Sequence, residues 1–181
     1  MIWELRFLES FHDVLSCVFM DRLMVLLSWL GDGGLVWLLL CLILLIRPQT
    51  RRLGLSMALS LAFELVSCSL LKVVVARPRP FTIERDVALL VDPPTDWSFP
   101  SGHTASSFAA ASALKDAGWK ATLPAAILAS LIALSRLYLF VHFPSDVVAG
   151  LALGLVCGWL GRYCTDVIWR LSRHGKDRGV A

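Results

Sequence analysis

Charged residues are scarce in this 181-residue sequence. They make up 17% of the chain, the net charge is only +3, and no basic run is long enough to form a nucleic-acid-binding surface. We therefore expect no nucleic-acid partner. The mean hydropathy of +0.70 is also far above that of a soluble domain.

Paired cysteines are absent as well. The five cysteines form no C-x-x-C pair, and all but Cys164 lie within apolar stretches, which predicts neither a disulfide nor a metal site. The first residues lack a basic region and carry Glu4 and Glu9, so we expect no cleavable signal peptide. The first membrane-spanning helix would then direct insertion itself.

Long apolar runs dominate what is present, because 57% of the residues are hydrophobic. They predict an all-α fold, a six-helix transmembrane bundle that forms a single domain over residues 1–181. The predicted spans are residues 14–30, 33–46, 53–76, 101–116, 121–139 and 144–163. Asp21 and Arg22 interrupt the first of these spans or mark its interface with water. Residues 2–11 alternate apolar and charged groups, which predicts an N-terminal interfacial helix on the membrane surface or else a frayed terminus.

The connections between these runs carry the turn residues. The longest connection, residues 81–99, is predicted to be a loop with one short helix near residues 83–91. Long loops that border polar clusters are usually functional. In the last span, Gly150, Gly154 and Gly158 lie on one helical face, which predicts close approach of a neighbouring helix.

The basic residues suggest the orientation in the membrane. With six spans, 12 of the 17 basic residues fall on the side of the two termini. The positive-inside rule places that side in the cytoplasm, so the polar clusters described next would face the outside.

Two polar clusters lie at the ends of apolar segments. Lys72 and Arg79 flank the end of the third span, where snorkelling to lipid headgroups is the alternative explanation. Ser101, Gly102 and His103 open the fourth helix, and Ser101 is a candidate cap. The N–H groups and dipole of a helix start can bind an anion, although a cap with an incidental histidine has the same sequence.

A third cluster follows the fifth span. Arg136 offers a planar fork that matches phosphate oxygens. His142 and Asp146 are four residues apart, so a helical turn can bring the carboxylate to one ring nitrogen and leave the other free to attack. Taken alone, the pair could be a helix cap and an interfacial histidine. Because all three clusters are predicted on one membrane face, we interpret them as one phosphate-binding catalytic site.

These segments resemble the signature of the type-2 phosphatidic acid phosphatase superfamily, which also includes glucose-6-phosphatase and the vanadium haloperoxidases. The matching positions are Lys72, Arg79, Pro80, Pro100, Ser101, Gly102, His103, Ser135, Arg136, His142 and Asp146. The resemblance implies a phosphatase that needs neither metal nor cofactor. It implies that His142 is the nucleophile that becomes phosphohistidine, that Asp146 holds it, and that His103 protonates the leaving oxygen and later activates water. Phosphoryl oxygens would be bound by Lys72, Arg79, Ser101, Gly102 and Arg136.

Two charged residues lie outside this signature. Arg77 could assist a second phosphate or meet lipid headgroups. Glu64 lies deep in the third span, where we expect a hydrogen bond between helices.

The predicted partners are a membrane lipid phosphate and the lipid bilayer, and the sequence indicates no oligomeric state. We expect a multi-pass protein of a bacterial plasma membrane, with hydrolysis of undecaprenyl pyrophosphate favoured. Alternatives are a phosphatidylglycerophosphate or phosphatidate phosphatase, a soluble-phosphate phosphatase, and a non-enzymatic bundle that binds or transports lipid phosphate.

Overall fold

All regular structure is helical in the residues that the computed structural model describes, namely residues 2–84 and 87–178, with side chains described to residue 172. The α-helices are α1 Ile2–Leu15, α2 Val18–Gly31, α3 Leu35–Ile46, α4 Arg51–Val75, α5 Pro80–Ile83, α6 Gly102–Ala113, α7 Trp119–Tyr138 and α8 Pro144–Arg178. Short 3₁₀ helices, Asp32–Gly34 and Leu114–Ala117, follow α2 and α6. The predicted all-α class is confirmed.

Four helical stretches of the described residues are long and apolar enough to cross a membrane. They are Val18–Ile46, Arg51–Ile83, Trp119–Tyr138 and Pro144–Ser172. The chain is thus a multi-pass membrane protein. The first two predicted spans fall together in the first stretch, and the predicted fourth span corresponds to the 12-residue α6. At about 1.5 Å per residue, α6 alone is shorter than the hydrocarbon core.

The centre of the bundle is built on small residues. Most residues of α6 are buried, and its alanine- and serine-rich sequence lets α4, α7 and α8 pack closely around it. A Cβ atom at Gly154 would collide with the Ala105 carbonyl, and one at Gly150 would lie 2.6 Å from the Ser101 carbonyl. The predicted close approach along this glycine face is confirmed, and its partner is α6.

Several predicted boundaries were wrong. Val14 belongs to α1 rather than to the first span, since the chain breaks after Leu15. The last helix continues to Arg178 instead of ending near residue 163, and beyond that residue it gains polar partners such as Arg52 of α4, which pairs with Asp166. The short helix expected near residues 83–91 instead covers Pro80–Ile83; residues 85 and 86 of that range lie outside the described residues.

The N-terminal helix docks by one face on the bundle. Leu8 of α1 is fully buried in a cluster with Leu137, Phe140 and Phe143, all near the junction of α7 and α8. Glu4 on the same helix is only 4% exposed. Helix α1 therefore packs beside the loop that carries His142.

Candidate active site

The three polar clusters meet at one end of the bundle around a cavity of about 1270 Å³. Helix α4 and the turn after it supply Lys72 and Arg79, the start of α6 supplies Gly102 and His103, and the end of α7 supplies Arg136, with His142 following in the α7–α8 turn. All six line this cavity. Ser101 and Asp146 are fully buried behind its wall.

Lys72 and Arg79 converge on a single carboxylate, that of Asp96 in the long connection. The Lys72 Nζ lies 2.7 Å from Oδ2, and the Arg79 Nη2 lies 2.5 Å from Oδ1. Partial burial opposes ionisation of Asp96, but the two cations outweigh it and lower its pKa to about 2. Asp96 is therefore an anion at neutral pH.

Arg79 also reaches the histidine expected to be the nucleophile. Its Nη1 donates to the Val141 carbonyl at 2.6 Å and lies 3.3 Å from His142 Nε2. A guanidinium that donates to Nε2 requires a lone pair on that nitrogen. The cavity-facing nitrogen of His142 is thus in the unprotonated state that attack needs.

His142 is 1% exposed, and its Nδ1 lies 3.7 Å from Asp146 Oδ2. That separation exceeds a hydrogen bond, and Nδ1 has no hydrogen-bond partner among the described residues. Burial, with added repulsion from Arg79 and Arg136, lowers the pKa of His142 to about 3, so the ring is neutral at physiological pH.

The carboxylate oxygens of Asp146 accept hydrogen bonds from groups other than His142. The Ser98 hydroxyl donates to Oδ2 at 2.5 Å, the Phe143 N–H donates to Oδ2 at 2.9 Å, and Arg77 donates to Oδ1 at 2.6 Å. The predicted i,i+4 proximity to His142 exists, but the carboxylate is anchored chiefly by these three groups.

The sequence suggested that Arg77 could assist a second phosphate or meet lipid headgroups. In the structure its guanidinium is instead bound by carboxylates of the protein. Its second terminal nitrogen lies 2.7 Å from the buried Glu4 carboxylate, which also accepts from the Ser145 hydroxyl at 2.5 Å. The path Glu4–Arg77–Asp146 links α1 to the catalytic loop. Glu4 gave no sequence signal beyond its place on an amphipathic helix.

Ser101 occupies the N-cap position of α6, but the predicted hydrogen bond from its side chain to the helix is not made. Its hydroxyl accepts from the Thr104 hydroxyl at 3.0 Å, while its N–H donates to the Asp146 carbonyl. The first-turn N–H groups of a helix have no partner within it. Those of α6 begin at Gly102, which lines the cavity.

His103 has a carboxylate partner that the sequence did not reveal. Its Nε2 lies 2.7 Å from Asp32 Oδ1, in the turn between α2 and α3. The glycines around Asp32 marked a turn, and no spacing rule could connect that turn to a residue 71 positions later.

Arg136 is 3% exposed, and its Nη1 donates to the Ser28 hydroxyl. Its Nε has no hydrogen-bond partner among the described residues. Because Arg136 lines the cavity, its unused donors are available to an anion there.

The apolar part of the cavity extends along the helices, away from the polar cluster. It is lined there by Leu38, Cys41, Ala58, Leu61 and Leu65. Glu64 also faces this wall, one helical turn before Cys68. The hydrogen bond between helices that we expected for Glu64 stays a prediction. No cluster of three or more metal-ligating side chains occurs in the part of the chain that the structure describes.

The sequence matches the PAP2 superfamily over residues 49–170. An undecaprenyl-diphosphatase of Sulfolobus acidocaldarius is 38% identical over 137 residues, which cover 75% of this chain and 66% of that protein, just under two thirds of its length. A decaprenylphosphoryl-5-phosphoribose phosphatase of Mycobacterium tuberculosis is 39% identical over 134 residues, or 73% of each chain.

Two solved structures share the fold. The crystal structure of Aquifex aeolicus LpxE superimposes with a TM-score of 0.77 at 30% identity, over 88% of this chain and 94% of that one. A transmembrane PAP2-type phosphatidylglycerolphosphate phosphatase from Bacillus subtilis gives a TM-score of 0.75 at 25% identity, over 91% and 85%.

Proposed function

This chain belongs to the PAP2 superfamily of membrane lipid phosphatases, and from that membership we propose that it hydrolyses a polyprenyl diphosphate, with undecaprenyl diphosphate preferred. The observation that carries the proposal is the neutral His142 with its Nε2 facing a cavity lined by Lys72, Arg79 and Arg136. The polyprenyl preference follows the activity named for the Sulfolobus relative.

In the first step, His142 Nε2 attacks the terminal phosphorus, and the bond from that phosphorus to the bridging oxygen breaks. His103 gives its proton to the departing oxygen, and the product is phosphohistidine plus the prenyl monophosphate. In the second step, water gives a proton to His103 and attacks phosphorus, which breaks the N–P bond and releases phosphate.

The fixed charges serve this reaction by positioning and by neutralising developing negative charge, which dominate phosphoryl transfer. The equatorial oxygens are bound by Lys72, Arg79 and Arg136. The N–H groups in the first turn of α6, which follows Ser101 and begins at Gly102, donate to the same oxygens. Asp146 positions His142 from its buried anchor, while Asp32 holds His103 through Nε2 and leaves Nδ1 to face the substrate. No metal ion takes part in this scheme.

The apolar extension of the cavity favours a lipid over a water-soluble phosphate. A soluble sugar phosphate needs only the polar end, whereas a prenyl or acyl chain would fill the wall formed by Leu38, Leu61 and Leu65. Large apolar side chains on the outside of the same helices, such as Leu39 and Val66, are 60% exposed and suit contact with the bilayer.

For the whole chain we propose a single domain in which α2 and α3 together make one crossing and α6 completes a bundle of five spans, rather than the six predicted. The N-terminal helix α1 packs beside the catalytic loop, and Asp21 at the start of α2 accepts from Tyr138, so the N-terminus lies on the side of the active site and not with the C-terminus. The C-terminus lies in the cytoplasm and the active site faces outward, because Arg47, Arg51 and Arg52 lie at the end of α3 and α4 opposite to Lys72 and Arg79. A reporter fused after Ala181 should read cytoplasmic, and an external signal would invert this topology.

The test of function is phosphate release by purified protein in EDTA, from undecaprenyl diphosphate, decaprenylphosphoryl-5-phosphoribose, phosphatidylglycerophosphate, phosphatidate and glucose 6-phosphate. We expect the highest kcat/KM with the diphosphate and none with His142→Ala. A preference for another lipid would change the substrate but keep the chemistry. Preference for glucose 6-phosphate, or lipid binding without release, would contradict the proposal.

A further inference from the structure

Asp96 lies where a phosphoryl group is expected in the proposed active site. One oxygen of its carboxylate is 2.7 Å from Lys72 Nζ, and the other is 2.5 Å from Arg79 Nη2. A carboxylate that bridges two cations through separate oxygens has the geometry with which the same cations would hold a phosphate.

Two backbone carbonyls of the same segment also accept hydrogen bonds from these cations. Arg79 Nε donates to the Asp96 carbonyl at 2.9 Å, and Lys72 Nζ donates to the Trp97 carbonyl at 2.6 Å. The remaining contacts of Arg79, to Val141 and His142, use Nη1. Of the five N–H donors of a guanidinium, only one on Nη2 is left without a recorded partner.

Arg79 therefore cannot grip a phosphate with two hydrogen bonds while Asp96 stays in place. Arg136 differs, because its Nε is unpartnered and its one recorded hydrogen bond goes to Ser28. Arg136 thus keeps a donor for an anion, whereas Lys72 and Arg79 are both paired with Asp96.

The Asp96 side chain can leave this position at low cost to the fold. It is 54% exposed, whereas the side chains of Lys72 and Arg79 are 14% and 5% exposed. It also belongs to a segment without helical structure between α5 and α6, so rotation of the side chain breaks no helical hydrogen bond.

Resting on the function proposed above, we infer that Asp96 is a resident anion that takes the phosphoryl position of the active site when no substrate is bound and is exchanged for the phosphate of the substrate. It keeps Lys72 and Arg79 neutralised and pointed at the site between turnovers. It also competes with the inorganic phosphate that remains after hydrolysis, so it limits inhibition by that product.

Direct binding measurements separate this role from turnover. Inorganic phosphate and orthovanadate are titrated calorimetrically into the purified full-length protein and its variants at pH 7 in EDTA. We expect Asp96→Asn to bind phosphate on the order of tenfold more tightly than the unsubstituted protein, since the neutral amide competes poorly for the cations.

The matched control is Asp92→Asn, which removes the same charge from the same segment and cavity wall, but from a carboxylate with no recorded ion pair. Its phosphate affinity should stay within twofold of the parent. Asp96→Glu, which restores the negative charge, should lose most of the gain. If Asp96→Asn does not fold, Asp96→Ser tests the same loss of charge.

Equal or weaker phosphate binding by a folded, charge-neutral Asp96 variant would overturn the role of Asp96 and leave the proposed function standing. An equal gain in Asp92→Asn would also overturn it, because the effect would then be one of general charge. Absence of phosphate and vanadate binding in every variant would overturn the phosphate site itself, and this inference with it.

Discussion

Two imidazole–carboxylate pairs face one cavity and differ in almost every physical respect. His103 and Asp32 are 2.7 Å apart, and the Asp32 side chain is 53% exposed. His142 and Asp146 are 3.7 Å apart, both are buried, and Asp146 is already bonded to Ser98, Phe143 and Arg77. Burial lowers the pKa of both imidazoles, but at His103 the water-exposed Asp32 carboxylate opposes that shift, whereas the buried His142 stays neutral.

That difference fits His103 for acid–base catalysis and His142 for nucleophilic attack. A nucleophile needs an unprotonated nitrogen, which a buried ring beside Arg79 and Arg136 retains across physiological pH. An acid that later acts as a base needs a water-accessible partner that stabilises its protonated form.

The largest loss is expected from His142→Ala. Without the nucleophile, the covalent path is closed, and kcat should fall by about 10⁴-fold or more. His12→Ala is the matched control, because His12 does not line the cavity and packs against Tyr138 and Phe140. A single-turnover assay that finds both variants equally active would contradict the assignment.

His103→Ala should cost about 10²- to 10⁴-fold in kcat, the usual contribution of a general acid or base. The loss should shrink for formation of the phosphoenzyme when the leaving group is p-nitrophenolate, which needs no protonation. A loss that is independent of the leaving group would contradict the acid role.

Asp146→Asn should reduce kcat by about 10²-fold, because it weakens the ion pair of the partly buried Arg77 and loosens the loop that carries His142. Thermal stability should fall together with activity. Full activity in a destabilised protein would show that Asp146 supports the fold but does not position the nucleophile.

Asp32→Asn should have a smaller effect, about tenfold in kcat/KM, with the alkaline limb of its pH profile moved to lower pH. The amide no longer stabilises protonated His103, so the acid form is lost earlier as the pH rises. Asp13→Asn, an exposed carboxylate on α1, serves as the control. An unmoved alkaline limb would separate Asp32 from the proton of His103.

The smallest effect concerns stability. His142 has a folded-state pKa of about 3 against 6.5 when exposed, so the unfolded chain binds a proton that the folded protein does not between those values. Stability therefore falls as the pH drops below 6.5. Asp96, with a pKa of about 2 against 3.8, loses its contribution only below about pH 4.

In a melting experiment, His142→Gln should lose less melting temperature between pH 7 and pH 4.5 than the unsubstituted protein does, by several degrees. An identical drop in both proteins would mean that His142 is not the buried neutral group.

The same comparison shows what the sequence could predict. His142 and Asp146 are four residues apart, so a local helical rule brought them together. Asp32 and His103, or Asp96 and Lys72, meet only because helices from different parts of the chain end at the same place, which spacing does not encode. The competition of Ser98 and Arg77 for Asp146 is tertiary for the same reason.

Helix existence followed from apolar length, but helix ends did not. Helix α8 continues past its predicted end at residue 163, and in this part Asp166 pairs with Arg52 of α4 at 2.6 Å. Such partly exposed pairs give the polar part of the helix neighbours that hydropathy does not reveal. The short α6 was placed correctly by its start at Gly102, although its burial depends on small residues facing α8.

Trapping the covalent intermediate tests the central claim most directly. His103→Asn protein is mixed with an activated ³²P-labelled phosphate ester in EDTA and quenched in alkali, in which phosphohistidine survives, and the labelled peptide is then identified by mass spectrometry. We expect one phosphoryl group on His142, and no labelled protein with the His142→Ala, His103→Asn double variant. Label on another residue, or turnover without any labelled protein, would contradict it.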